Sequence, residues 1–477
     1  MGQTVNDVHS RLNPTTVSEI VRPTGIEDVR AAVLRAAREI PYGGGGLAIC
    51  GGRHAMGGQQ FASNSLLLDM TGMNRAIDLD EERGLLSIEA GAIWPDVIRA
   101  THDLSRGEPH HSIRQKQTGA DSLTLGGAVG CNAHGRGLTM GPIGEDVEGL
   151  TLVNATGDAI ECSRDQDPEL FSLAIGGYGL FGVVVRVTLR LCQRRKMQRL
   201  VDVIDIDEAV SAVRRRVADG CVYGDFQYAI DPLHKSFLRD GVMSCYIPVS
   251  DDAAVSDETD GLSKDDWLSL LELAHRDKSV AFAKYSQYYA STHGRVYWSD
   301  TMQLSTYIPE YTEFLVSRGL VGGGADESLV IGEQYIPPDR ITEFLDRARA
   351  VLRESGVENI YGTIRAIRRD ETSFLPWASR DFACVIFNIR TPHTVEGIER
   401  THEAFRSLTD ASLELGGSFY MTYHRAATAD QVNRAYPRFR DFLAMKKRLD
   451  PQGVFQSDWY RHYRRLVQDG GISDTPR

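Results

Sequence analysis

Residues 41–61, PYGGGGLAICGGRHAMGGQQF, decide the fold of this 477-residue chain. The apolar run from Leu47 to Ile49 predicts the end of a buried strand, which is followed by Gly51, Gly52, Gly57 and Gly58. Glycine lets the backbone turn without side chains, so the N–H groups of this loop can converge on an anion. The spacing matches neither a GxGxxG turn nor a GxxxxGK[ST] loop. We therefore expect a different kind of phosphate-binding loop, with a glycine-rich surface loop as the alternative.

His54 lies in the middle of this loop, and no second His or Cys follows at metal-ligand spacing. The pattern Gly-x-His-x-x-x-Gly over residues 52–58, followed by Leu-Asp-Met at residues 68–70, resembles the flavin-binding loop of the vanillyl-alcohol oxidase / p-cresol methylhydroxylase (PCMH-type) superfamily. In many members the loop histidine is bonded to the 8α-methyl group of FAD. The resemblance implies FAD as the cofactor, attached through His54. Arg53 departs from the pattern, which usually has glycine there.

Two further glycine-rich runs carry the same resemblance. Residues 118–163 are too rich in glycine for a helix or sheet interior, where each glycine costs about 1 kcal/mol, and so predict room for a flat ligand. Residues 167–191 contain Phe-x-x-x-x-Gly-Gly-x-Gly-x-x-Gly, as the superfamily does. Within it, the segment Gly-Cys-Asn-Ala-His-Gly at residues 130–135 most resembles the alditol and aldonolactone oxidases and decaprenylphosphoryl-ribose oxidase.

These motifs imply which residues hold the cofactor. The implied FAD-binding residues are Gly51, Gly52, Arg53, His54, Ala55, Met56, Gly57, Gly58, Gln59, Thr118, Gly119, Asp121, Ser122, Gly126, Gly127, Cys131, Ala133, His134, Gly135, Gly182 and Val183. His134 matches a family histidine beside the isoalloxazine ring. Ala120 occupies the place of the second attachment residue of berberine-bridge-like enzymes, a cysteine, so a second covalent bond is not expected.

The order of helical and strand patterns predicts an α+β protein. The resemblance implies a two-part PCMH-type FAD-binding domain at residues 15–193, an α+β substrate-binding cap domain at 194–415, and a C-terminal return to the FAD domain at 416–465. Helical spacing is clearest at residues 26–40, 93–104, 170–175, 265–274 and 341–353. Residues 220–263, with the acidic run DDAAVSDETD, are expected to be a surface excursion.

Composition excludes some classes of function. The formal net charge of −12 argues against nucleic acid and anionic membranes as partners, because both require basic surfaces. Seven widely spaced cysteines without a CxxC pair suit a reducing compartment. The N-terminus lacks a basic and an apolar region, and no stretch is apolar over the length of a membrane span, so we expect a cytoplasmic protein.

The catalytic candidates come from positions that match the relatives. Tyr423 falls where the ribose oxidase has a lysine facing the flavin, and Cys384 falls on a cysteine of the same pocket. Arg365 matches an arginine of the alditol oxidases that holds anionic reduced flavin or a substrate oxygen, but their preceding glutamate is Thr363 here. The remaining polar candidates for proton transfer are Glu333 and His424. Each could instead be a packed structural side chain.

These residues suggest an FAD-dependent oxidase or dehydrogenase (EC 1.1) that oxidises a CH–OH group of a polyol, sugar or related polar alcohol. Hydride would pass to flavin N5, with O2 or another acceptor reoxidising the flavin, and the small Ala133 favours a dehydrogenase. One alternative is CH–NH oxidation, because residues 52–59 also resemble cytokinin dehydrogenase, although its catalytic aspartate aligns with Gly119. Another is a flavin- or ligand-binding protein without turnover, since the relatives' lysine and glutamate are missing.

Overall fold

The structure is a computed structural model that describes residues 2–117, 119–256, 262–305, 311–320 and 326–468. Its strands, in chain order, are β1 Gln3–Val5, β2 Thr15–Val17, β3 Glu19–Val21, β4 Leu47–Cys50, β5 Leu66–Asp69, β6 Ala76–Asp80, β7 Leu85–Glu89, β8 His111–Ile113, β9 Val147–Val153, β10 Ala159–Ser163, β11 Val183–Gln193, β12 Lys196–Asp205, β13 Tyr223–Tyr228, β14 Asp240–Pro248, β15 Val296–Trp298, β16 Glu327–Ile336, β17 Glu358–Ile367, β18 Phe382–Pro392 and β19 Ser418–Phe419.

The α-helices are α1 Ile26–Glu39, α2 Trp94–Asp103, α3 Leu125–Cys131, α4 Pro168–Ala174, α5 Ile206–Ala218, α6 Lys264–Arg276, α7 Lys278–Ser291, α8 Tyr311–Ser317, α9 Ile341–Ser355, α10 Val395–Glu414, α11 Ala429–Ala435, α12 Phe439–Leu449 and α13 Asp458–Gln468. The five helices expected from spacing are present as α1, α2, α4, α6 and α9, with ends within a few residues of those expected. The α+β class is confirmed, with a two-part FAD-binding fold and an α+β cap.

A small parallel sheet carries the opening stretch of sequence. Its order is β3-β5-β4, and α1 packs on it through Val29, Val33 and Ala36, the buried positions of its amphipathic pattern. The C-terminal part of the chain completes this sheet, because Leu47 N donates to Val454 O at 2.7 Å. Residues from both ends of the sequence therefore support the strand that leads into the glycine-rich loop.

A second sheet is antiparallel and has the order β10-β9-β11-β7-β6, with β8 paired to β11. Strands β9 and β10 of this sheet form a hairpin, in which Val153 pairs with Ala159. Helices α11 to α13 pack against this half of the molecule: the rings of Tyr178 and Trp459 lie 4.4 Å apart, and those of Phe181 and Phe442 5.1 Å apart. These contacts support the expected domain boundaries, which we keep as a proposal.

The third sheet has eight strands in the order β15-β12-β14-β13-β17-β18-β16-β19, all antiparallel. Helices α5, α9 and α10 cover one face with apolar side chains such as Phe344 and Phe405. The expectation that residues 220–263 form a surface excursion is wrong, since β13 and β14 are interior strands of this sheet. The acidic run begins only after β14, and its residues 257–260 lie outside the described residues.

Within the described ranges, none of the helices combines the length and the apolar character that a bilayer crossing needs.

Candidate active site

A cavity of about 750 Å³ separates the glycine-rich loops from the face of the eight-stranded sheet opposite α10. Its wall includes the loop of residues 51–59, which we call the histidine loop, together with the N-terminal half of the FAD-binding fold. On the opposite side the wall is formed by β13, β16, β17 and β18 and by α6 and α7. The cavity is thus enclosed by parts of the chain that are far apart in sequence.

Strand register explains which side chains reach this cavity. Alternate residues of a strand point to opposite faces, and Glu333, Ile386 and Thr363 are aligned across β16, β18 and β17. Two residues along, Cys384 pairs with both Tyr335 and Arg365, so all of these side chains lie on the same face. The other face packs under α10, where a Cβ on Gly332 would lie 2.2 Å from the Phe405 ring. The polar face is therefore turned to the cavity.

Glu333 is the centre of a buried polar cluster and is only 4 % exposed. Its carboxylate accepts hydrogen bonds from the hydroxyls of Tyr423 at 2.8 Å and Tyr335 at 2.7 Å. His134 Nε2 lies 2.9 Å from Glu333 Oε2. The thiol of Cys384 donates to the same oxygen at 3.6 Å. Three residues that were predicted from the sequence, Tyr423, His134 and Cys384, therefore surround a fourth, Glu333.

The surroundings of this cluster fix its protonation. Burial by itself raises the pKa of Glu333, but His134, Arg365 and the Tyr335 hydroxyl stabilise the carboxylate and bring the pKa well below its usual value. Burial, then the charge of Glu333, raises the pKa of Tyr423 far above its usual value, and the pKa of Cys384 likewise. Tyr423 is thus a hydrogen-bond donor rather than a base, and Cys384 is an unreactive buried thiol.

Arg365 also lies in the cavity wall and is 8 % exposed. Its Nε has no hydrogen-bond partner within the described part of the chain. A buried donor without a partner costs about 1–3 kcal/mol, so this guanidinium is suited to an oxygen of a bound molecule. Arg365 and Glu333 together provide a donor and an acceptor in one cavity.

His54 is held from two sides. Its Nδ1 lies 2.7 Å from Nε2 of His9, and its Nε2 lies 2.9 Å from the Ser122 hydroxyl. Burial, with a further contribution from His9, lowers the pKa of His54 to about 3. The imidazole is therefore neutral at ordinary pH, and a neutral ring retains a nucleophilic lone pair.

The backbone conformation at Arg53 shows why glycine is usual at this position. Its φ is +59°, in the left-handed region that glycine adopts without cost. Its guanidinium reaches Asp69 Oδ2 at 3.2 Å, so the side chain fastens the histidine loop to the end of β5. Arg53 therefore replaces the usual glycine without preventing the loop conformation.

Most of the predicted FAD-binding residues line the cavity, namely Gly51, Gly52, Arg53, His54, Ala55, Met56, Gln59, Gly119, Gly126, Gly127, Cys131, Ala133, His134 and Gly182. Six others are not in its wall: Gly57, Gly58, Asp121, Ser122, Gly135 and Val183. Gly57 instead packs on the carbonyl of Tyr423, and Asp121 pairs with Lys116. Thr118 lies outside the described residues.

The structure does not bring His424 to this cavity. Its Nδ1 lies 3.0 Å from Nε2 of His402, away from the polar cluster. The chain positions Tyr423 through the histidine loop, whose Gly57 N–H and Gln59 amide both donate to Thr422 O. We therefore leave His424 out of the proposed chemistry.

Sequence reasoning missed two groups of residues in the wall. His9 is a single histidine in a polar segment, and no pattern marked it. Aromatic side chains of α6 and α7, such as Trp267 and Tyr285, also line the cavity; α6 was expected only as part of the cap, and α7 was not predicted. The tyrosine-rich stretch at residues 285–289 is the only sequence pattern that could have indicated this part of the wall.

The cavity fits FAD on its own geometry. A Cβ on Gly130 or Gly119, both in the wall, would meet no atom within 4 Å, so the backbone there is open to a ligand. Buried atoms of Gln59, Gln60 and Arg136 in the same wall lack hydrogen-bond partners among the described residues. Open backbone and unsatisfied polar atoms are what a flavin and its phosphates would cover.

Two family models match the sequence. The first, described as an FAD binding domain, covers residues 17–163, and the second, described as D-arabinono-1,4-lactone oxidase, covers residues 331–463. Together with the fold, these two matches define the class: the chain belongs to the PCMH-type superfamily of FAD-linked oxidoreductases. It is an FAD-dependent oxidoreductase.

The chain is similar to several known enzymes. It is 22% identical to decaprenylphosphoryl-beta-D-ribose oxidase of Mycolicibacterium smegmatis, over 94% of this chain and 95% of the relative. It is 21% identical to L-gulonolactone oxidase of Bos taurus, over 91% and 92%. It is 32% identical to mitochondrial L-galactono-1,4-lactone dehydrogenase of Brassica oleracea, over 31% and 23%. The first two matches include both the FAD-binding part and the cap.

Proposed function

We propose that this enzyme oxidises a CH–OH group of a sugar, lactone, polyol or related polar alcohol. The observation that carries the proposal is the carboxyl group of Glu333, buried in the cavity and hydrogen-bonded to Tyr423. The names of the similar enzymes, which include lactone and ribose oxidases, support a substrate of this class. The cap supplies the carboxylate from β16, whereas the family glutamate expected on β17 is Thr363.

Bound FAD would supply a two-electron acceptor for the hydride of the substrate carbon. Glu333 takes the proton of the hydroxyl, directly or through the Tyr423 O–H, and His134 holds the carboxylate in place. A carboxylate of low pKa is a weak base, but the hydroxyl becomes strongly acidic as the hydride leaves, so the two transfers can be concerted. Arg365 donates to the substrate oxygen and stabilises its negative charge.

We also propose that His54 binds FAD covalently. The neutral imidazole in the wall of the cavity, at the position of the family's attachment residue, supports this step. In wild-type protein the flavin should remain in an acid-precipitated pellet, whereas His54→Ala should release it into the supernatant. Flavin released from wild-type protein as well would contradict covalent attachment but leave the oxidation proposal standing.

The decisive experiment is an anaerobic titration of the holoenzyme with matched panels of polyols, sugars, lactones and amines, followed by absorbance. We expect an alcohol or lactone to bleach the flavin, and subsequent addition of O2 or a dye will identify the acceptor. Bleaching by amines alone would favour CH–NH oxidation. Absence of bleaching across the panels would favour a binding protein without turnover.

A further inference from the structure

The polar wall of the cavity continues beyond Arg365 onto β13. Phe226 of this strand pairs with Ile364 of β17 in antiparallel register. Because alternate residues of a strand point to opposite faces, the residues on either side of Phe226 share the cavity face with Arg365. They are Asp225 and Gln227, and both line the cavity. Neither takes part in the oxidation proposed above, so a carboxylate and an amide in this wall need another explanation.

Asp225 and Gln227 are hydrogen-bond acceptors that the protein leaves unused. Gln227 is 9 % exposed, and its Oε1 is buried without a hydrogen-bond partner among the described residues. The half-buried Asp225 carboxylate accepts no hydrogen bond within the same part of the chain. Arg136, also in the wall, has a buried Nε that finds no acceptor in the described ranges. Buried polar atoms are normally paired, so these side chains indicate a polar ligand.

An aromatic ring provides an open surface beside these groups. Tyr361 pairs with Asn388 in the register that aligns Thr363 with Ile386, so its side chain points to the cavity face of β17. It lines the cavity and is 42 % exposed, which means that much of its ring faces the open space. The Tyr361 hydroxyl also lies close enough to Asp225 for the two to interact electrostatically. Polar acceptors and an open ring surface are thus side by side.

The width of the sheet separates this group from the reaction. Asp225 and Gln227 are on β13 and Glu333 is on β16, and the order β13-β17-β18-β16 puts three strand spacings between them. At about 4.8 Å each, these spacings amount to roughly 14 Å, with Arg365 between the two ends. One sugar or lactone ring with its hydroxyl at Glu333 is too short to reach β13. A group that binds there is therefore a second part of the substrate.

The chemistry of the wall selects this second part. A sugar ring carries hydroxyls at its edge, which both donate and accept hydrogen bonds, and C–H groups on its faces, which pack on aromatic rings. Two unused acceptors and one unused donor beside an open tyrosine ring match this pattern. The charge of Asp225 is opposed by that of the nearby Arg136, so the group favours a neutral ligand over an amine or a phosphate.

We propose that the substrate is a neutral disaccharide, or the lactone or alditol made from one. One unit is oxidised beside Glu333, and the other binds Asp225 and Gln227 and packs on Tyr361. This inference rests on the proposed oxidation of a CH–OH group and extends it by giving the substrate a second unit. The residues of β13, together with Tyr361, then determine specificity, whereas proton transfer stays with Glu333.

The test compares matched mono- and disaccharides as reductants of the flavin. The pairs are glucose with cellobiose and maltose, xylose with xylobiose, and sorbitol with maltitol, and anaerobic stopped-flow absorbance gives the apparent Kd and the limiting rate. We expect at least one disaccharide to be preferred about 10-fold or more over its monosaccharide. Gln227→Leu and Tyr361→Ala should each raise the apparent Kd for that disaccharide about 10-fold, the scale of one lost contact, with little change in the limiting rate.

Two exposed residues outside the cavity provide matched controls. Gln287→Leu, on the outer side of α7, and Tyr42→Ala should leave the apparent Kd for the disaccharide as in wild type. Equal Kd and rate for both members of every pair would overturn the inference, as would a wild-type Kd in Gln227→Leu and Tyr361→Ala. Tighter binding of the amine-bearing chitosan dimer or of trehalose 6-phosphate would overturn the assignment of a neutral second unit.

A binding measurement distinguishes failure of this inference from failure of the oxidation. Glu333→Gln holoenzyme is titrated calorimetrically with the same sugars, because loss of the proton acceptor should leave them bound but not oxidised. Disaccharide binding that is weakened when Gln227→Leu is added, without reduction of the wild-type flavin by any sugar, would support the second site and contradict the oxidation. Reduction by monosaccharides alone would contradict the second site and support the oxidation. Neither binding nor reduction across the panel would overturn both.

Discussion

At the residue scale, Tyr423 joins the histidine loop to the Glu333 carboxylate. Tyr423→Phe removes the hydrogen bond to Glu333 and leaves a buried oxygen without that donor. We expect flavin reduction by substrate to slow about 10²-fold while the FAD content stays unchanged. Anaerobic stopped-flow absorbance measures the rate, with the exposed Tyr42→Phe as a control. An unchanged rate would exclude Tyr423 from the mechanism.

Substitution of Glu333 should slow flavin reduction more than substitution of Tyr423. Glu333→Gln keeps the shape of the side chain but removes the proton acceptor, and we expect reduction to slow about 10³-fold or more. The exposed Glu354→Gln, on the surface end of α9, should have no effect. A normal rate in Glu333→Gln would move the base elsewhere in the cavity.

The pH profile offers a check on the same residue. A base works only when ionised, and the pKa of Glu333 is lowered by its partners. The rate of flavin reduction should therefore hold on the acid side down to below about pH 4.3, the ordinary pKa of glutamate. Loss of rate around pH 6 to 7 would indicate that a different group, such as a histidine, accepts the proton.

The sequence identified these residues individually, but it could not show that their side chains lie together in one cavity. Glu333, Arg365 and Cys384 were nominated from separate strands, and only the register of β16, β18 and β17 shows that they share a face. His424 was nominated beside Tyr423, yet its side chain is turned to His402. His9 could not be found, because a contact across 45 residues leaves no local pattern.

At the element scale, a substitution in α3 tests whether the cavity is the site that binds FAD. Gly130→Leu places a side chain where a Cβ meets nothing within 4 Å, so the apoprotein should keep its stability, or gain up to about 1 kcal/mol from helix propensity. The same side chain fills the cavity and should abolish FAD binding. Urea unfolding measures the stability, and the flavin content measures FAD binding, of the wild-type protein and Gly130→Leu. Gly25→Ala, outside the cavity, is the control.

The C-terminal return depends on a buried ion pair in α12. Lys446 and Asp450 are 1% and 2% exposed, and Asp450 also accepts from the amides of Val454 and Phe455, which lie beside β4. Lys446→Ala leaves an unpaired buried carboxylate and should lower the free energy of unfolding by about 3–5 kcal/mol. Denaturant titration measures this, and the exposed neighbour Lys447→Ala should change little.

Elements with one apolar face could be predicted, and those buried on both faces could not. The spacing of α1 and α9 gave their positions because solvent covers the opposite side. The position of β13 was predicted wrongly: its Asp225 and Gln227 are polar, a pattern typical of a surface segment, and residues 220–263 were expected to be a surface excursion. These two side chains line the cavity instead, so the strand is interior despite its composition.

At the scale of the whole molecule, buried histidines should set the acid stability. Burial, reinforced by nearby arginines, lowers the pKa of His275, His402 and His462 to about 4. The unfolded chain, with histidines near 6.5, binds these protons more readily, so the stability is complete above pH 6.5 and falls toward pH 4. Thermal unfolding of the holoprotein across this range should show the loss, and His402→Gln should reduce its slope.

The histidine loop also has a consequence for how the enzyme is made. The loop is hydrogen-bonded to Val8 and Asn13 on one side and to Thr422 on the other, so its two supports are synthesised about 400 residues apart. A ribosome-bound chain that has not yet emerged as far as Thr422 lacks the second support and the Tyr423 member of the polar cluster. We therefore expect stable cofactor loading only after this segment has folded, so that flavin content would report whether both supports of the loop are in place.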